Sequence, residues 1–321
     1  MPSLLDQRLL IFSGKGGAGK STVAAAAALA AARRGKRVLI VEIGDVERIP
    51  SIFGSTKTSG YAGGQVLAPR RGVAPISSMC VTAREALREF ALRSMKFGVF
   101  YDAIFENRVT RLFTSAAPGL DELTIMGKIE FVHREAVTPA TNSRFDLMIL
   151  DAPATGHGLA LFEAPRTAMR MAGAGPLHAK AERMWRLIAD PIQTAFHIVT
   201  LPEEMSVNEA IELDAAAAAL GLPRGKVIVN GVHPDFFPDD EEALSRARAE
   251  RAGASADPFA RVAGAALDAA ASSVARRRAH VEMIAKLADG LDLERVILPF
   301  LFCSGIGPDE LVTFADGLES L

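Results

Sequence analysis

The sequence predicts an α/β fold: a mostly parallel, doubly wound sheet with helices on both faces and an added helical subdomain. Three observations predict it. Short apolar runs recur along the chain without strict alternation, as strands buried on both faces do. Helical stretches lie between most of them, the order of repeated strand–helix–strand units. A glycine-rich turn, Gly14–Thr22, joins the first run to the first helix.

The first strand is expected at Arg8–Ser13 and the first helix at Thr22–Arg34, which is Ala-rich and free of Gly and Pro. Further strands are expected at Val38–Glu42, Ala74–Cys80, Leu147–Leu150, His197–Thr200, Val227–Asn230 and Val296–Leu298. Ser55–Gly72, rich in Gly, Ser, Thr and Arg, reads as a mobile loop. A helical block is expected over Thr82–Ala136, with helices at Ala83–Lys96, Gly98–Val109 and Leu123–Ala136. A second block, Pro165–Ile192, carries Met169, Met171, Met184 and Trp185, which suit a core and also an adaptable apolar groove. These two insertions exceed what a doubly wound sheet needs. Pro234–Pro258 reads as a solvated helix with flexible ends. No linker divides the chain, so residues 1–321 are expected to form one domain.

Composition narrows the classes. The chain is 49% hydrophobic and 23% charged with a formal net charge of −2, enough for a large core and without a basic footprint for nucleic acid. Cys80 and Cys303 are too far apart for a paired metal motif, and their scarcity suits a reducing cytoplasm. The apolar stretch Leu9–Phe12 runs straight into the glycine turn and does not read as a signal peptide. Val23–Ala32 is too short to span a bilayer. Pro308–Leu321 has four acids and no Lys or Arg, so it is expected to avoid anionic lipid.

Gly14–Thr22 reads Gly-Lys-Gly-Gly-Ala-Gly-Lys-Ser-Thr and fits the P-loop pattern G-x-x-x-x-G-K-[ST]. Strand, turn and helix in this order aim backbone N–H groups and the positive helix end at phosphate oxygens, which makes the fold one of P-loop NTPase type. The nucleotide cradle is therefore Gly14, Gly16, Gly17, Ala18, Gly19, Lys20, Ser21 and Thr22. Lys20 reaches the terminal phosphates, and the Ser21 hydroxyl suits Mg²⁺. The apolar strand ending in Asp151 places a carboxylate where such sites hold Mg²⁺, and Gly156 gives the following turn freedom to move.

The second lysine, Lys15, makes the loop K-G-G-x-G-K-[ST]. This resembles the deviant P-loop ATPases, a family that includes partitioning ATPases, arsenite pumps and tail-anchored-protein targeting ATPases. The resemblance implies ATP and Mg²⁺ as cofactors and a homodimer in which Lys15 reaches the partner's phosphates, as an arginine finger does. Asp151–His157, Asp-Ala-Pro-Ala-Thr-Gly-His, resembles the D-T-A-P-T-G-H switch of the arsenite-pump and targeting branch. Pro118–Glu122 and Leu201–Glu203 are similar to two further elements of that branch. The same resemblance makes Asn230 an adenine reader, with Pro299 and Phe300 in the loop over the base. An Asn amide has the donors and acceptor that an adenine edge needs. His157 is left as a phosphate or partner sensor or a simple turn residue.

Strand two departs from the branch. Its D-P-A-H element carries the acid that positions water, and here Gly44 stands at that place with Asp45 one residue on. Asp45 is the candidate water-orienting residue, with Glu42 and Glu47 as alternatives. The cysteine set for arsenite and the C-x-x-C pair of targeting dimers are both missing. The expected function is an ATPase whose nucleotide state controls a protein partner or hydrophobic cargo. The other reading is a partitioning or polarity scaffold, gated by nucleotide, with slow or no hydrolysis.

Overall fold

The computed structural model of the chain describes residues 4–68, 71–94, 119–136, 144–237, 246–247 and 258–319. Eight strands form one sheet: β1 (Leu9–Gly14), β2 (Val38–Ile43), β3 (Gly64–Leu67), β4 (Ile76–Val81), β5 (Leu147–Asp151), β6 (Thr194–Thr200), β7 (Arg224–Val232) and β8 (Arg295–Pro299). Their order is β3-β4-β2-β5-β1-β6-β7-β8. All pairings are parallel except β3 with β4. The seven expected strands are therefore present, and the fold is that of a P-loop NTPase.

Strand residues alternate between two cores. Leu10, Phe12, Val38 and Ile40 face one cluster, while Leu9, Ile11, Leu39 and Val41 face the other. Both faces are apolar, which explains the near-continuous apolar runs of the sequence. On the first face lie α1 (Lys20–Arg33), the short α2 (Ile49–Ile52) and α9 (Pro308–Glu319). The small Ala side chains of α1 let it sit close to the sheet, with Val23–Ala32 buried throughout. The second face carries α3 (Ala83–Ser94), α4 (Leu120–Ala136), α5 (Thr155–Ala172), α6 (Pro176–Ala189), α7 (Glu204–Leu220) and α8 (Pro258–Gly290). Helices α3 to α6 pack on one another as the added helical layer.

Three expectations change. Ser55–Gly72 is not all loop: β3 pairs there, short and with a register irregularity, at the sheet edge. The second helical block begins at Thr155 rather than Pro165, and Pro165 lies inside α5. The turn expected around Gly156 is the first turn of that helix. Met184 is core and Trp185 packs against it, whereas Met171 is exposed. The expected helix Gly98–Val109, and most of Pro234–Pro258, lie outside the described residues. No described helix is long and apolar enough to cross a membrane.

Candidate nucleotide site

The strand order brings three chain segments together at the carboxyl ends of the central strands. Phe12 of β1 is in register with Asp151 of β5, and Asp151 with Glu42 of β2. Between them opens a cleft of about 690 Å³. Its walls include Gly16, Gly17, Gly19, Lys20, Ser21 and Thr22 from the glycine turn, and Asp151 to Ala154 beyond β5. Glu42, Ile43, Val46 and Arg48 close it on the β2 side. Ligands of doubly wound sheets bind in such crevices.

The glycine turn is fixed by close approach. Gly14 ends β1 in register with Val199, and Ala18 N–H donates to Lys15 O at 3.3 Å. Gly19 has φ +88°, and a Cβ there would come within 2.2 Å of Asn230 Nδ2. Asn230 itself donates to Ala18 O at 3.0 Å, so β7 props the turn from the side away from β2. Lys20 Nζ donates to Lys15 O at 3.1 Å. Burial pushes the Lys20 ammonium below its usual range, while Asp151 pulls it back up and Arg48 lowers it.

Asp151 is buried and accepts a hydrogen bond from Ser21 Oγ at 2.5 Å through Oδ2. Its Oδ1 is buried with no partner among the described residues, and burial raises its carboxyl pKa against the pull of Ser21 and Lys20. A buried carboxylate oxygen without a donor is costly unless a cation meets it. Ser21 Oγ and Asp151 fit Mg²⁺, a hard ion that takes few protein oxygens and shares the rest with phosphate and water. Consistent with so sparse a donor set, the described residues hold no group of three or more His, Cys, Asp and Glu placed for a metal.

The segment after β2 is held by Glu42. Its Oε1 accepts from Arg48 N–H at 2.6 Å and from Ile49 N–H at 3.1 Å, while Oε2 is buried without a partner. Burial first, opposed by those two N–H groups, pushes its carboxyl up to about 7. Glu47 is committed elsewhere, accepting from Ser59 N–H at 2.6 Å and Gly60 N–H at 2.8 Å. Asp45 is exposed and stands outside the cleft wall. Lys15 also lies off that wall and pairs with Glu209 of α7 at 2.9 Å within the same chain. Pro299 ends β8, and Phe300 N–H donates to Val232 O at 2.8 Å. Phe300 stacks on His233 with ring centroids 4.7 Å apart and stays exposed near Gly231. Arg48 and His233 were not among the expected residues. The structure describes no side chains for Thr155 to His157.

Residues 7–174 and 171–253 match the sequence model for anion-transporting ATPases. The chain belongs to the anion-transporting ATPase family. It is similar to the ATPase BagA of Mycobacterium tuberculosis, 31% identical over 226 residues, which cover 70% of this chain and 64% of BagA. It is also similar to the ATPase GET3C of Arabidopsis thaliana, 23% identical over 284 residues covering 74% and 70% of the two chains. The arsenical pump-driving ATPase of Escherichia coli is 24% identical over 245 residues, 70% of this chain and 39% of the pump subunit. The chain thus spans just under two thirds of the length of BagA.

In this member of the family, Gly44 adopts φ +133°, its N–H donates to Val81 O at 3.2 Å, and its carbonyl accepts from Cys80 Sγ at 3.0 Å. An L side chain at that place would strain the backbone.

Proposed function

We propose that this chain is a Mg²⁺-dependent ATPase that acts as a cytoplasmic homodimer. Its nucleotide state would control a protein partner or hydrophobic cargo, through the helices of 82–136 and 155–189 within one domain of residues 1–321. The observation that carries this reading is the Ser21–Asp151 pair at 2.5 Å, beside a buried carboxylate oxygen with no hydrogen-bond partner among the described residues. Bound Mg²⁺ would draw charge from the terminal phosphates. The chain's own part is positional. The amides of Gly16 to Ser21 cradle the phosphates, Lys20 meets them as a desolvated cation, and Asn230 and Phe300 take the adenine. Lys15 reaches the partner's phosphates after leaving Glu209. The family name and the names of BagA and GET3C support ATPase chemistry.

Direct measurement tests it. Wild type should bind ATP with Mg²⁺ and lose hydrolysis in EDTA, and Lys20→Ala should lose binding. Mass measurement with ATP, with ADP and without nucleotide should show a dimer that depends on ATP and is lost in Lys15→Ala. A monomer under all conditions removes the cross-subunit lysine.

Gly44 favours a second reading. With a positive-φ glycine where the resemblance places an acid, the protein would bind ATP as a gated scaffold of partitioning type and hydrolyse it slowly or not at all. Single-turnover hydrolysis against ATP-dependent dimerisation separates the two readings.

A further inference from the structure

We infer that Arg48 is a cation supplied in cis to the terminal phosphate of the bound nucleotide, and that Glu42 is the positioning residue that seats it. This rests on the nucleotide reading above and assigns the triphosphate end of the same cleft. Five observations carry it.

Arg48 lines the cleft opposite the glycine turn and is the one arginine in its wall. Its charge acts on both Lys20 and Asp151, so it belongs to the charge cluster that faces the phosphates. It is exposed and makes no ion pair among the described residues, so its guanidinium is available to an anion. A guanidinium fork matches two phosphate oxygens at once.

Topology says which phosphate. In the sheet order, β2 and β7 lie on opposite sides of β1. Asn230, the adenine candidate, is on β7 and props the turn from there. Arg48 follows β2, so it stands across the glycine turn from the base. A nucleotide laid over the turn has its last phosphate at that end, where ATP and ADP differ.

The backbone of this segment is not left to chance. Glu42, one of the most buried acids of the chain, spends one oxygen on the N–H groups of Arg48 and Ile49. Arg48 O in turn accepts from Ser51 Oγ at 2.8 Å and Ile52 N–H at 3.1 Å. A buried carboxylate used to fix one residue's backbone is a costly arrangement that a plain surface loop does not need.

The test is the ratio of ATP to ADP affinity, measured with fluorescent analogues of both in Mg²⁺, together with single-turnover hydrolysis. Arg48→Ala should lower the preference for ATP at least tenfold and leave ADP affinity within twofold. Arg48→Lys, a point charge without the fork, should fall between. Glu42→Ala should reproduce the Arg48→Ala ratio, and the double variant should be no worse than either. Glu42→Gln, which keeps the accepting oxygen, should restore much of the ratio, a result that a general loss of packing would not give. Thermal unfolding of each variant checks folding, and Arg48 is exposed enough for its variants to fold. If wild type prefers ATP and Lys20→Ala abolishes binding, but Arg48→Ala keeps the ratio within twofold, the inference is overturned while the nucleotide reading stands. If wild type binds neither nucleotide, both fall.

Discussion

In the proposed site Lys20 is the residue on which nucleotide binding should turn, because burial lowers the pKa of its half-buried ammonium, which interacts with the buried Asp151. A desolvated cation gains most from a phosphate that replaces its lost solvent. Lys20→Ala is therefore expected to weaken ATP binding by at least about tenfold, or about 1.4 kcal/mol, in a calorimetric titration. Asp45 is a sharper question. If it takes over from the missing acid at Gly44, Asp45→Asn should lower turnover at least about tenfold with nucleotide still bound. Unchanged turnover removes it, and the exposed position of Asp45 beside a wall made by Val46 and Arg48 makes that outcome informative. The glycine turn of the candidate site was legible in the sequence because it has fixed spacing and a strand and a helix on its flanks. Asp151 was legible because a strand of apolar residues ended in it. Arg48 was not, because what brings it into the cleft is a bend of the chain at Gly44 and a clamp from Glu42, and neither has a fixed spacing. The bond of Asn230 to Ala18 was hidden for a related reason, since the two are joined only once β7 is docked beside β6.

At the scale of elements, the C-terminal helix α9 shows how a short amphipathic segment finds its partner. Leu311, Phe314, Ala315 and Leu318 are buried against α1, and Arg33 of α1 meets Asp316 at 2.6 Å. The acids expected to keep this segment from anionic lipid are thus partly spent on the basic end of α1. Its apolar side closes the first core rather than a membrane. Phe314→Ala should cost roughly 3–5 kcal/mol in denaturant unfolding, as large deletions in packed cores do. A loss under about 1 kcal/mol would mean that α9 is peeled from α1 in solution. Buried central strands announced themselves by composition, whereas β3 did not. It has four residues, starts at a glycine and pairs antiparallel at an edge with a shifted register, so no face of it is wholly apolar. The start of α5 was missed because Pro165 looks like a helix opener, the place proline prefers. Here the helix is already running, and the buried proline is carried inside it.

For the whole molecule, buried titratable groups set how stability answers to acid. His197 of β6 is wholly buried, stacks on Phe12 at 5.2 Å and accepts from Lys226 N–H at 2.9 Å. Burial, with Lys226 nearby, lowers its pKa to about 3, and burial lowers that of His133 in α4 to about 4. Both are depressed below the ordinary value, so the unfolded chain binds protons that the folded chain refuses. Their contribution is complete above about pH 6.5 and is lost as pH falls toward 3 or 4. Glu42 has the opposite sign. With its carboxyl raised to about 7, the folded chain holds a proton that the unfolded chain has released, and stability is lost as pH rises from 4.5 through 7. Asp151, also raised, acts in the same sense. The net curve mixes these terms, so the clean measurement is a difference. His197→Asn keeps an oxygen to accept the Lys226 N–H and removes the titrating ring. Between pH 6 and pH 4 the stability of wild type minus that of the variant should fall by about 1.4 kcal/mol per pH unit, one proton's worth. A difference that stays flat over that range would show that the folded protein takes up the proton at His197, and that this end of the sheet admits water.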